Sequence, residues 1–115
     1  EHKETKGLNI IDGKVIKFDT NYVKSIPHLG WNNIDILNQN KADGPYNEIT
    51  NNSMLYFVHS YYVVPNNKEY IATTTNYENI KFTSSIIKDN VFATQFHPEK
   101  SGVLGLKVLD NFFKK

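Results

Sequence analysis

Apolar positions in this chain come in short runs broken by polar turns, and only the last run repeats with a helical period. Between Gly7 and Phe18, Leu8, Ile10 and Ile11 precede Asp12-Gly13, and Val15, Ile16 and Phe18 follow, which predicts two short strands about a glycine turn. Ile26 to Leu37 alternates loosely and gives way to the polar run Asn38 to Gly44, a predicted loop; Pro45 and Tyr46 open a short turn before Ile49. Met54 to Val64 is the most continuous apolar run, and its β-branched and aromatic residues suit a central strand better than a helix. A turn at Pro65-Asn66-Asn67 leads to a strand over Tyr70 to Thr75. Phe82 to Ile87 and Val91 to Phe96 read as hairpin strands joined by Lys88-Asp89-Asn90. Val103, Leu104, Val108, Leu109, Phe112 and Phe113 predict a terminal helix, with Ser101 as N-cap and Lys114 and Lys115 at the end its dipole favours. Strands followed by one helix suit the second half of an α/β domain better than a complete one.

Composition narrows the function classes. A chain of 115 residues is one folding unit at most, and 39% hydrophobic content is compatible with a packed core. The net charge of +1 is scattered, and lysine is used to the exclusion of arginine. A nucleic-acid binder concentrates its basic residues and exploits the arginine fork, so this class is set aside. With no cysteine, disulfides, zinc-thiolate sites and thiol chemistry are excluded together, and no metal or cofactor is expected. No apolar stretch reaches the ~18 residues needed to span a bilayer, no signal-peptide pattern opens the chain, and cytoplasm is the expected compartment.

The most chemically pointed segment is Gln95-Phe96-His97-Pro98-Glu99-Lys100-Ser101-Gly102, between a predicted strand and the predicted helix. On an extended segment, His97 and Glu99 would point the same way, because side chains alternate faces with a period of two. The carboxylate could then hold the imidazole in one tautomer, the general-base half of a Cys-His-Glu or Ser-His-Asp machine. Pro98 stiffens the turn that ends the strand. Taken without their flanks, the same two residues more often form a surface salt bridge or a turn.

The segment Val91 to Gly102 resembles the C-terminal active-site motif of class I (triad) glutamine amidotransferases. Ile26-Pro27-His28-Leu29-Gly30-Trp31-Asn32 and Tyr56-Phe57-Val58-His59-Ser60-Tyr61, in that order and spacing, resemble the glutaminase subunits of imidazole glycerol phosphate synthases. The likeness runs from about Gly7 to Phe113, and it implies the C-terminal, strand-rich portion of a flavodoxin-like α/β domain ending in one helix. Members of the family carry a nucleophilic cysteine on a strand-to-helix elbow in their first half. Residues 1–115 are therefore expected to be the C-terminal part of a single domain whose nucleophile lies outside this sequence, and to be inactive alone on glutamine.

The resemblance also implies roles. His97 would be the general base and Glu99 its orienting carboxylate. His59, Ser60 and Tyr61 would line the glutamine pocket, although a histidine among Tyr, Phe and Val can equally be a satisfied core residue. Glu1 would pair with the α-ammonium of glutamine, or be a solvated surface acid. His28, Gly30, Trp31, Asn32, Tyr56 and Lys100 would face a (β/α)₈-barrel synthase subunit in a heterodimer and the opening through which ammonia passes. Trp31 could instead belong to the core, and Lys100 could be a solvated lysine after a turn. Two other readings stay open: a related amidotransferase subunit serving surface-sugar biosynthesis, and a non-catalytic remnant acting as a binding module.

Overall fold

A computed structural model describes residues 13–37, 44–89 and 91–113. Its elements are β1 (Gly13–Lys17), β2 (His28–Asn33), β3 (Asp35–Ile36), β4 (Met54–His59), β5 (Tyr61–Pro65), β6 (Ile71–Tyr77), β7 (Ile80–Lys88), β8 (Val91–Thr94) and α1 (Gly102–Phe113). Short 3-10 turns precede β6 (Lys68–Tyr70) and α1 (Pro98–Lys100). All pairings are antiparallel. The larger sheet has the order β1-β5-β7-β6-β3, with β8 also on β7, and β2 and β4 form a separate two-stranded ribbon.

The ribbon shows how alternation builds the core. In β4, Leu55 and Phe57 are fully buried while Met54 faces out; in β2, His28 is buried while Leu29 and Trp31 are exposed. Register pairs His28 with His59, Gly30 with Phe57 and Asn32 with Leu55 on the inner face. Leu55 and Phe57 join Phe18, Ile34, Phe82, Phe96 and, from α1, Val108 in one apolar cluster.

The expected strand Met54 to Val64 is not continuous. It breaks at Ser60, because β4 belongs to the ribbon and β5 to the large sheet, and the Ser60 carbonyl at the switch accepts the N–H of Phe18 at 3.0 Å. Apolarity was right, but a run apolar almost throughout does not show where a strand changes sheets. Gly13 lies in β1 opposite Pro65 rather than in a turn, and a Cβ there would sit 2.6 Å from the Val64 carbonyl oxygen. Ile26 to Leu37 divides into β2 and β3 at the buried Ile34. The sixth strand starts at Ile71 and reaches Tyr77, turning into β7 through Glu78-Asn79 with Glu78 at φ 52°. Lys88 belongs to β7 and pairs with Val91, so the hairpin loop is shorter than expected. The last strand stops at Thr94, and Phe96 makes only an isolated bridge to Phe57. Predictions for Leu8 to Asp12, most of the Asn38 to Gly44 loop, Asn90, and Lys114 and Lys115 lie outside the described residues, as does Glu1.

The helix forms where expected but faces differently. Gly105 and Val108 are buried, whereas Val103 and Phe113 are 83% and 75% exposed. Apolar residues occur all round this helix, so spacing alone does not choose the inner face; the glycine that permits close approach does. Ser101 is not a side-chain N-cap. Its carbonyl accepts from Gly105 N–H, but its hydroxyl accepts the Tyr56 N–H at 2.9 Å and donates to the His97 carbonyl at 2.6 Å. Among the described residues, no helix is long and apolar enough to cross a membrane.

Candidate functional site: the His97 turn and its histidine support

The backbone of His97 is fixed on both sides. Its N–H donates to the Tyr56 carbonyl at 2.8 Å, and the buried Ser101 hydroxyl links its carbonyl to the Tyr56 N–H, so both polar groups of Tyr56 bind this turn. The imidazole remains accessible, with Nδ1 3.0 Å from Glu99 Oε2. The carboxylate accepts, so neutral His97 carries its proton on Nδ1 and its free lone pair on Nε2. Strand alternation does not produce this contact, contrary to the expectation from sequence. Extended backbone ends at His97 (φ −104°, ψ 97°), and Glu99 curls back from the 3-10 turn Pro98–Lys100. Its own backbone N–H first, and then His97, hold the Glu99 carboxyl below the usual carboxylate range.

A cleft of about 410 Å³ opens beside this pair, lined by Val58, His59, Thr94, Gln95, Phe96, His97, Pro98 and Glu99. His59 enters it from the end of β4, but its ring is engaged within the chain. Its Nδ1 donates to the Tyr61 carbonyl at 2.7 Å, which leaves Nε2 as acceptor for the Nδ1–H of His28 at 3.0 Å. His28 Nε2 is then the acceptor for Asn32 Nδ2, 3.2 Å away. One directed relay therefore runs from Asn32 through His28 and His59 to Tyr61, with every tautomer set by its neighbour. His28 is 2% exposed and lies stacked between Phe57 and Tyr77, at ring-centroid distances of 4.7 Å and 3.9 Å. Sequence reasoning missed the relay, although His28, Gly30 and Asn32 share a face at period two.

Burial, and then the nearby His59, lower the His28 pKa from 6.5 to about 4. Burial likewise lowers His59, with His97 adding to the effect. Between those values the unfolded chain binds a proton that the folded chain refuses. His28 therefore contributes stability that is complete above pH 6.5 and is lost as pH falls toward 4, by roughly 3 kcal/mol. Chemical denaturation at pH 7 and pH 4.5 should show this slope, and His28→Phe should flatten it while lowering stability at pH 7. An equally steep slope in the variant would remove His28 as its source.

The remaining sequence-chosen residues divide by position. His97, Glu99 and His59 come together at the cleft. Ser60 and Tyr61 follow at the β4–β5 break, half-buried, with the Tyr61 carbonyl ending the relay. Trp31, 52% exposed, meets Tyr56 edge-on at 5.7 Å on the outer ribbon face, and Lys100 is exposed in the 3-10 turn. His28 and Asn32 do not reach that face: they project inward, where the chain uses their polar groups. Gly30, at φ 128°, lies between them in β2.

Comparison with known proteins identifies the family. The family model for glutamine amidotransferase class-I matches residues 9–115. Similar curated proteins include imidazole glycerol phosphate synthase subunit HisH of Pelagibacter ubique, 48% identical over 97% of this chain and 52% of its own length. The subunit HisH of Methanocaldococcus jannaschii is 52% identical over 97% of this chain and 54% of its own. The chain spans about half the length of these relatives. A crystal structure of a Thermoplasma acidophilum protein, provisionally assigned to GMP synthase, superposes with a TM-score of 0.65 over 90% of this chain and 48% of that one. At 16% identity this match speaks to the fold alone, which is the strand-rich α/β fold with one terminal helix expected from the sequence. By family match and relatives together, the chain belongs to the class-I glutamine amidotransferases.

Proposed function

We propose that this chain supplies the general-base half of a glutaminase site, and that a cysteine-bearing polypeptide supplies the other half. The observation that carries this reading is the His97–Glu99 pair, 3.0 Å apart at the edge of a cleft, with the imidazole lone pair left on Nε2. That nitrogen would take the thiol proton as sulfur attacks the γ-carboxamide carbon of L-glutamine, then deliver it to the departing ammonia. Water, activated at the same nitrogen, would release glutamate from the thioester. Glu99 would orient the ring and stabilise its charged form. The His28–His59 relay would hold the Ser60–Tyr61 segment beside the substrate.

In the same proposal, the ammonia passes to a (β/α)₈-barrel synthase subunit that makes imidazole glycerol phosphate and an aminoimidazole ribonucleotide, in the cytoplasm. The relatives' names as subunits of that synthase support it. Leu29, Trp31 and Met54 expose an apolar outer ribbon face, with Tyr56 beside Trp31, and this would be the docking surface. Because one backbone hydrogen bond and the Ser101 hydroxyl tie His97 to Tyr56, docking there would be felt at the base.

Two experiments test the proposal. Ammonia release from glutamine by the purified chain should be absent, since no thiol is present; turnover abolished by His97→Ala would refute this. Trp31→Ala should weaken synthase binding by roughly 2 kcal/mol, near 30-fold, with little change in the chain's own melting temperature. A large melting shift with unchanged affinity would take Trp31 out of the interface.

A further inference from the structure

At the end of the ribbon remote from His28, Asn32, Asn33, Asp35, Asn52, Thr75 and Asn76 surround a second cleft of about 250 Å³, which shares no lining residue with the His97 cleft. Its polar groups are unevenly used. Asn32 is spent: Nδ2 donates to the Asn76 carbonyl at 2.9 Å and toward His28, and Oδ1 accepts the Asn33 N–H at 2.7 Å. Asn33 donates its Nδ2 to the Asn52 carbonyl at 2.7 Å, which leaves its Oδ1. Thr75 is 1% exposed, and its hydroxyl has no hydrogen-bond partner among the described residues. An orphaned hydroxyl so deeply buried is uncommon and points to a missing partner. Among the described residues, the carboxylate of Asp35 makes no ion pair or hydrogen bond and no lysine lines the cleft.

One negative charge among spare acceptors fits one positive charge that brings several donors. A guanidinium offers five N–H groups in a flat fork and is less strongly hydrated than an ammonium. A calcium-type ion would want six to eight oxygens and usually more than one carboxylate. The cleft also adjoins the apolar outer face, since Asn33 stands opposite Met54 at the end of the ladder that carries Trp31 and Tyr56. We propose that the Asp35–Thr75 cleft binds the guanidinium of an arginine side chain, presented by a polypeptide lying on the outer ribbon face. This site rests on the reading of the outer ribbon face as a docking surface, and it borders the histidine relay through Asn32.

The test is titration of the ¹⁵N-labelled chain with N-acetyl-arginine methylamide, alongside its lysine and citrulline counterparts and calcium chloride. The arginine probe should shift the amide signals of Asn33, Asn52 and Thr75 saturably, and uncharged citrulline of the same shape should bind about tenfold or more weakly. Asp35→Asn, which breaks no side-chain hydrogen bond or ion pair among the described residues, should cost about tenfold in affinity, and Thr75→Val should weaken the probe without lowering the melting temperature. Shifts that do not saturate, an Asp35→Asn variant that binds unchanged, or calcium displacing the arginine probe would each overturn the assignment.

Discussion

Replacing His97 by asparagine is expected to slow glutamine hydrolysis by roughly 10⁴-fold or more in enzyme assembled from this chain and a cysteine-bearing half. With the proposed synthase subunit added, synthesis from free ammonia should persist. The size of the effect follows from the position of the imidazole: it would serve thiol, leaving ammonia and attacking water in turn, so losing it disables each proton transfer. Asparagine keeps a polar group of similar reach, and the backbone clamp on Tyr56 and Ser101 does not use the imidazole. The turn should therefore survive the substitution. Glu99→Gln should cost less, because the carboxylate is 59% exposed and acts through His97. Parallel assays with glutamine and with ammonium salt decide the matter, and loss of both activities in an intact complex would contradict the assignment.

Gly105→Ala is expected to destabilise the chain by roughly 2–3 kcal/mol, a drop on the order of 10 °C in melting temperature. A Cβ at Gly105 would collide with the backbone carbonyl of Pro98 and lie 2.6 Å from Ser101 Cβ. Neither partner can yield easily. On the helix side, Val108 is fully buried, Asn111 Nδ2 donates to the Pro45 and Asn47 carbonyls, and Lys107 pairs with Glu48 at 3.0 Å. On the turn side, Ser101 and His97 are tied to Tyr56. Any relief must move the turn that carries His97 and Glu99, so the same substitution should impair catalysis in the assembled enzyme. Thermal melts check the first effect, and an unshifted melt would mean that the helix and turn are not rigidly apposed. Gly105→Ser should behave at least as badly, since its Cβ meets the same carbonyl.

What could be read from the sequence was what depends on near neighbours. The His97–Glu99 contact, the terminal helix and the strand-rich order all arise within a few residues, and the flanks of His97 carried the family resemblance. Contacts set by the tertiary fold were not legible. The switch between sheets at Ser60 depends on Phe18, distant in sequence, and the Ser101 hydroxyl was assigned to its own helix because its partner Tyr56 lies 45 residues away. The family resemblance set His28 beside Trp31 on a partner-facing surface, yet alternation turns its ring inward onto Phe57 and Tyr77. Even the His97–Glu99 contact was anticipated for the wrong reason, since a 3-10 turn creates it.

Whether the chain contributes His97 and Glu99 to a shared glutaminase site is tested most directly by ammonia release from L-glutamine, measured for this chain alone, for a cysteine-bearing first half alone, and for the two combined. No turnover is expected from either part, and the mixture should show turnover that His97→Ala abolishes. Turnover by the mixture that is indifferent to His97, or turnover by this chain alone that His97→Ala removes, would contradict that role.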